Sequence, residues 1–503
     1  MNFYFEAAKT LDRLDAKEGS IKGIIATLPE KDRKRTAALV IETLKFKPVL
    51  LEVIDKSKLM KEERKLASKT LALVLVHDLL LARGIQAGDG PIKQAVLRHK
   101  TRLHGELQKL KIKRGVTSNE QLAQNGDERA ASIPRYVRVN TLIGTTEDTI
   151  ETFVSRGYTL SDPFSSSKKG FSKDPHVPDL LLFHPSTTFQ DDDLYTSGKI
   201  ILQDKASCFP ALVLSPPASS DSVVIDATAA PGNKTSHLGA LMKNKGKLFA
   251  FERDKKRFST LKMMLSKAGC TNSFPINADF LTIDPHDTRY SSVTHILLDP
   301  SCSGSGIVNR LDYLLEAENE GGTDKEERLD KLASFQLKMI QHAMRPFSSK
   351  HMGFALRPVP NVRKIVYSTC SIHATENERV VRNALNSEEA RVGAFRLAPR
   401  SEVLPTWQRR GYPDELDSPG TPSCFSHSGM KLDARFTFTG DASSLVRCLP
   451  GEDATNGFFV SCFVRDNRQQ STSKRKMSIE DDTNDSLLHK PRKKKHKKNT
   501  LDK

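Results

Sequence analysis

Two short segments each bring a thiol to the end of what reads as a buried strand. Leu297-Leu-Asp-Pro-Ser-Cys-Ser-Gly-Ser-Gly306 carries Asp299 and Cys302 on a loop of small residues, and Ile365-Val-Tyr-Ser-Thr-Cys-Ser371 repeats the device with Cys370. A structural cysteine more often sits inside a strand than on the loop after it, so both thiols are candidates for nucleophilic chemistry. The chain holds seven cysteines, at 208, 270, 302, 370, 424, 448 and 462, with no Cys-x-x-Cys pair and no metal-ligand spacing. A zinc site or a disulfide framework is therefore not expected, and no metal is assigned.

A third segment, Asp226-Ala-Thr-Ala-Ala-Pro-Gly-Asn-Lys-Thr-Ser-His237, leads from a strand into a helix. Its small residues and Gly232 let the backbone approach a ligand closely, and the free N–H groups of a helix start favour an anionic or carboxylate group. Two competing motifs fail on spacing. A phosphate-binding loop needs Gly-Lys-Thr/Ser, but Asn233 separates Gly232 from Lys234 and Ala227 stands where the first glycine belongs; the dinucleotide pattern G-x-G-x-x-G is absent. Glu252 ends the next strand, 20 residues after Gly232, placed to accept hydrogen bonds from a ribose diol. Asp279, just past the third strand, is placed to hold an adenine amino group. Either carboxylate alone is more simply a helix cap or a solvated strand end; together with the loop they indicate a cofactor with a ribose.

These residues need a sheet to position them. Strand-like runs at Val223–Asp226, Lys247–Glu252, Phe274–Asn277, Thr294–Asp299 and Lys364–Ser368 alternate with helical segments. That alternation predicts an α/β fold with a mostly parallel, doubly wound sheet and ligands at the carboxyl ends of its strands. Ahead of it, apolar residues recur at helical spacing through Phe5–Leu14, Ile21–Leu28, Ala37–Leu44 and Leu66–Leu81. The chain thus divides into an all-helical N-terminal domain over 1–116, a linker over 117–130, a small mixed α/β subdomain over 131–205, a catalytic domain over 206–465 and a disordered basic tail over 466–503.

The formal net charge is +17; from Arg465 to Lys503 there are 13 Lys and Arg against 6 Asp and Glu, so +10 remains outside the tail. A basic body fits a polyanion partner, and the clusters Lys474–Lys476 and Lys490–Lys498 read as a nuclear or nucleolar address or a non-specific RNA arm. Lys93, Arg98, Lys100, Arg102, Lys109, Lys111, Lys113 and Arg114 form a further basic cluster, suited to phosphates or simply to solvating a helix face. The longest apolar run, Leu71–Ala82, is interrupted by His77 and Asp78, and the start of the chain lacks a secretory pattern. No membrane span is expected, and the protein is placed inside the cell, in the nucleus and nucleolus.

The run Asp226-Ala-x-Ala-Ala-Pro-Gly-Asn-Lys-Thr235, the Leu298-Asp-Pro-Ser-Cys-Ser-Gly304 loop and the Tyr367-Ser-Thr-Cys-Ser-Ile372 segment with Glu376-Asn-Glu378 resemble the Nop/Sun family of RNA 5-methylcytosine methyltransferases. The likeness spans about Arg135 to Val464 and takes in Arg138-Val-Asn-Thr-Leu142, Leu202-Gln-Asp-Lys-Ala-Ser207, Phe335-Gln336 and Gly457-Phe-Phe-Val460. The helical N-terminus with Ile201–Cys208 is similar to the branch acting on large-subunit ribosomal RNA. The resemblance implies a Rossmann-like sheet that uses S-adenosylmethionine to methylate the 5-position of cytosine in RNA, within ribosomal RNA or a pre-ribosomal particle, by a monomer.

It also implies roles. Carbon 5 of cytosine is too electron-poor to take a methyl group unaided; a thiolate added at carbon 6 makes it nucleophilic. Cys370 matches the family nucleophile, Cys302 the cysteine that assists release, and Asp299 the holder of the cytosine N3/N4 edge. Thr228, Ala229, Ala230, Pro231, Gly232, Asn233 and Lys234, with Glu252, Arg257, Asp279 and Asp299, match the cofactor site; Lys205, Arg138 and Asn140 match RNA contacts. The base must be unpaired or flipped to be reached. Phe347–Val359 is an insertion where the family passes quickly into the strand. The competing readings are a non-catalytic RNA-binding assembly factor, disfavoured by two intact cysteine loops, and a DNA methyltransferase, disfavoured because Ser301 rather than proline precedes Cys302.

Overall fold

The computed structural model describes residues 1–66, 68–124, 126–308, 311–315, 322–345, 361–417 and 440–465; the Phe347–Val359 insertion and the basic tail lie outside them. The chain is helical as far as Lys113. Helix Lys69–Leu81 is apolar on every side and sits at the centre, ringed by Asn2–Asp15, Glu30–Lys45, Lys47–Lys56 and Lys100–Lys113. Ser68 starts it by accepting the Leu71 N–H at 3.1 Å, the usual task of a serine before a helix. Near its C-terminal end His77 and Asp78 are buried in partnership: Asp78 accepts from the Tyr4 hydroxyl at 2.6 Å and lies 3.0 Å from His77 Nδ1.

Two features of this domain depart from the sequence reading. The stretch expected as a linker packs down: Leu122 is buried in the helical core and the Gln124 N–H donates to the Lys45 carbonyl at 2.7 Å. One leucine in a polar run carries no periodicity, so pattern could not reveal it. Leu314, 12 residues after Cys302, also enters this core, packing near helices Ile21–Ala26 and Glu30–Lys45. The basic cluster is partly neutralised, since Lys93, Arg98, Arg102, Lys109 and Arg114 pair with Asp89, Glu63, Glu62, Glu106 and Glu52.

A small sheet follows. Strands β1 (Arg135–Val139), β2 (Thr159–Leu160), β3 (Gly170–Lys173), β4 (Leu180–Phe183) and β5 (Ile200–Leu202) run in the order β2-β3-β4-β1-β5, with β1 antiparallel to both neighbours. Phe153, Phe171, Phe183 and Phe189 pack edge to face, tilted or stacked as its core.

The large sheet contains β6 (Val223–Asp226), β7 (Lys247–Phe251), β8 (Ser273–Ile276), β9 (His295–Leu298), β10 (Lys364–Thr369), β11 (Phe395–Leu397), β12 (Val446–Cys448) and β13 (Phe458–Arg465). Its order is β11-β13-β10-β9-β6-β7-β8, with β12 against β13. The five strands β10-β9-β6-β7-β8 are parallel and are the five read from sequence. Strand β13 pairs antiparallel with β10 along its length. The chain leaves β6 toward β7 on one side while β9 lies on the other, so the sheet switches direction there and opens a crevice at the strands' carboxyl ends. Among the described residues, no helix is long and apolar enough to cross a membrane.

Candidate active site

The crevice is a cavity of about 370 Å³, a size suited to a small organic ligand. One end is bounded by Glu252, Arg253, Ala278, Asp279 and Phe280; the other by Asp299, Cys302 and Cys370. The loop after β6 sends Thr228 and Ala230 to its wall. Buried Asp226 holds that loop, accepting from the Thr228 N–H at 3.3 Å and the Thr235 hydroxyl at 2.7 Å. Gly232 has φ +115°, a left-handed value that glycine adopts without strain, and starts helix Asn233–Leu241.

At the ribose end, Glu252 accepts the Asp254 N–H at 2.8 Å, and Arg257 stands 3.5 Å from its other oxygen while donating to the Ala230 carbonyl at 2.7 Å. Asp279 accepts the Leu281 N–H at 3.0 Å as a cap, and it also lines the cavity with Arg253 3.5 Å away. At the other end Asp299 is fixed on two sides, by the Ser368 hydroxyl at 2.7 Å and by Lys234 at 2.8 Å. Lys234 is only slightly exposed, and its desolvation opposes its charge. The Asp299 carboxylate, with Cys370 and Asp226 beyond it, nonetheless holds its pKa above the ordinary lysine value.

The two thiols meet. Cys302 Sγ lies 3.0 Å from Cys370 Sγ, longer than a disulfide bond of about 2.05 Å and within hydrogen-bonding range. The hydrogen bond to Cys370, then burial, then the charges of Cys370 and Glu376 push the Cys302 pKa well up. The loops that carry them are laced together by the triplet Glu376-Asn377-Glu378, all fully buried. Glu376 accepts from the Ser303 N–H at 2.8 Å, the Ser303 hydroxyl at 2.6 Å and the Gln336 amide at 3.1 Å. Asn377 accepts from Thr369 and donates to the Ser371 carbonyl at 2.9 Å, gripping Cys370 from both sides. Glu378 takes the Arg447 guanidinium at 2.6 and 2.5 Å, and Arg447 also donates to the Ile372 carbonyl at 3.0 Å.

Three family models match successive parts of the chain: the N-terminal domain of NOL1/NOP2/Sun domain family member 5 at residues 34–123, its ferredoxin-like domain at 133–203, and 16S rRNA methyltransferase RsmB/F at 211–464. The 25S rRNA (cytosine-C(5))-methyltransferase rcm1 of Schizosaccharomyces pombe is 42% identical, over 94% of this chain and 94% of its own. The 28S rRNA (cytosine-C(5))-methyltransferase of Mus musculus is 41% identical, over 92% and 91%. The chain belongs to the NOL1/NOP2/Sun domain family. The crystal structure of PH0851 shares the fold, with a TM-score of 0.52 at 21% identity over 87% of this chain and 91% of that one.

As a member of the NOL1/NOP2/Sun domain family, the protein is an S-adenosylmethionine-dependent RNA cytosine-5-methyltransferase. The cavity suits that cofactor: Glu252 and Asp279 offer carboxylates for a nucleoside, Phe251, Phe280 and Met339 offer apolar wall for a flat base, and the cysteines lie at the far end. Arg253, Phe280 and Met339 carried no motif in the sequence. Phe335 and Gln336 were matched without a role; Phe335 lines the cavity, and Gln336 donates to the Ser301 carbonyl at 3.1 Å.

Several expected site residues stand elsewhere. Ala229, Pro231, Gly232, Asn233 and Lys234 do not line the cavity; Asn233 turns its amide to the Leu202 carbonyl at 3.3 Å, and Lys234 reaches Asp299. The three residues expected to contact RNA are buried in the protein. Arg138 and Asn140 are 1% and 0% exposed, with their polar atoms spent on protein acceptors. Lys205 is sealed against Asp174 at 2.7 Å, beneath the Trp407 ring. A buried cation already paired gains little by leaving its partner for a phosphate in water.

Proposed function

We propose that this enzyme methylates a cytosine of large-subunit ribosomal RNA in the nucleolus, with Cys370 as nucleophile and Cys302 as the residue that assists release. The observation that carries the reading is the 3.0 Å sulfur pair lining a cavity that Asp299 also lines. Either sulfur can donate in this pair; the hydrogen bond to Cys370, burial and the nearby charges raise the Cys302 pKa, and the roles follow the motifs the two cysteines match. The Lys234 ammonium, held by Asp299, adds positive charge beside Cys370 and favours its thiolate.

Cys370 Sγ bonds to carbon 6 of the cytosine, whose edge Asp299 orients, and the displaced electron pair makes carbon 5 nucleophilic. When bound, S-adenosylmethionine supplies the methyl group that carbon 5 takes up. Removal of the carbon 5 proton, assisted by Cys302, returns that electron pair to the ring, and the carbon 6–sulfur bond breaks to restore the Cys370 thiolate. The substrate assignment rests on the names of the relatives, which act on 25S and 28S rRNA.

Covalent trapping tests the roles. Cys302→Ala is expected to accumulate a denaturant-stable protein–RNA adduct and Cys370→Ala to form none; the opposite pattern overturns the assignment. Bisulfite mapping of ribosomal RNA with and without the gene tests the substrate, through one cytosine in the large subunit that loses its methyl group.

A further inference from the structure

Strand β1 and the residue after it contribute nothing to the cavity wall, yet the side chains of Arg138 and Asn140 end on the two helices that flank the cofactor loop. Arg138 is buried without a carboxylate partner among the described residues, and its guanidinium donates to Gln203 Oε1 at 2.8 Å, Ser236 Oγ at 2.9 Å and the Asn233 carbonyl at 3.3 Å. Asn233 and Ser236 form the first turn of helix Asn233–Leu241, directly after Gly232. Asn140, just past β1, donates from Nδ2 to the Gly198 and Ala268 carbonyls, both at 2.9 Å. Ala268 ends helix Lys255–Lys267, the helix that carries Arg257 to Glu252 and to the Ala230 carbonyl.

The seam leaves no slack. A Cβ added at Gly198 would stand 2.2 Å from the Lys267 carbonyl oxygen, and one at Gly232 would stand 3.3 Å from Leu261 and Met264 of the same helix. A buried guanidinium with only neutral acceptors is costly, and at this position its bonds reach one helix of the cofactor site while its neighbour's reach the other.

We propose that Arg138 and Asn140 are positioning residues through which the small domain sets the separation of the two cofactor helices, so that cofactor affinity depends on a domain that does not touch the cofactor. The proposal rests on reading Thr228, Ala230 and Glu252 as the cofactor site. It replaces an RNA contact by a mechanical one.

The test uses the full chain, with S-adenosylhomocysteine affinity measured by calorimetry, RNA affinity by filter binding, and kcat and KM by methyl transfer. Arg138→Gln and Asn140→Ser are expected to weaken S-adenosylhomocysteine binding by about tenfold each, the loss of hydrogen bonds to a buried group, and Arg138→Lys by less. KM for S-adenosylmethionine rises with it, while kcat at saturating cofactor and RNA affinity stay near wild type. Should Arg138→Gln not fold, Ser236→Ala removes one of the same bonds from the helix side, with a smaller shift of the same kind expected. Folded variants that bind S-adenosylhomocysteine as wild type does overturn the proposal, as does a loss of RNA affinity with cofactor affinity intact. Glu252→Ala separates the two levels: if it leaves S-adenosylhomocysteine affinity unchanged, the reading of the site itself is wrong.

Discussion

In the helical domain most ion pairs stay at the rim, and the carboxylates that enter the interior, Asp78 and Glu63, do so with partners. Arg102 and Glu62 pair with side chains 47% and 43% exposed, while the centre is filled by Leu73, Val74, Leu75 and Val76. At the carboxyl edge of the large sheet the arrangement inverts: Arg447 and Glu378 pair with side chains 1% and 0% exposed, next to Asn377 and Glu376, and the apolar residues lie further back in the sheet. The first design draws its stability from burying apolar surface and tolerates loose charges. The second spends stability to hold two loops in one geometry, because a sealed polar group has few alternative partners.

That contrast can be broken most severely at the buried pair. Glu378→Gln leaves Arg447 sealed without its countercharge, and a loss of about 3 to 5 kcal/mol in thermal or urea unfolding is expected. Asp226 offers a pH-dependent version. Burial raises its pKa to about 6 from 3.8, so the folded state binds its proton more tightly than the unfolded chain. Its favourable contribution is present below pH 4 and is lost as pH rises toward 6. The stability of Asp226→Asn relative to wild type should therefore climb across that window by roughly 3 kcal/mol and level off above it, as unfolding curves at several pH values would show.

Glu376→Gln keeps the shape of the lacing but removes a negative charge that helps to hold the Cys302 pKa up. Alkylation of Cys302, followed by mass spectrometry, should begin at lower pH in the variant, and adduct release should shift in the same direction; an unchanged profile would mean the charge is not felt. The smallest effect belongs to the helical rim, where Lys56→Ala, which breaks an exposed pair with Glu52, should cost less than about 0.5 kcal/mol.

The same contrast governs what could be read before the structure. Strands β6 to β10, the cysteines beyond β9 and β10, and Glu252 at the end of β7 were legible because each depends on a pattern a few residues long. The burial of Arg138 and Asn140 was not legible because their partners lie far away in sequence: Asn233 is 95 positions from Arg138, and Ala268 is 128 from Asn140. A motif match marks such a residue as needed without saying whether it faces a ligand or the interior. Glu376-Asn377-Glu378 was visible as a helix start. Its real partners, Ser303 and Arg447, are 73 and 69 positions distant.

Leu314 carries a consequence for the order in which the chain is made. The helical core takes its residues from Tyr4 to Leu122 and then from Leu314, 192 positions later. At ordinary rates of synthesis that interval lasts roughly ten to forty seconds. The first-made domain therefore waits on the ribosome with one apolar site open, and the residue that fills it arrives on the segment just beyond Cys302, after β6 to β9 have been synthesised.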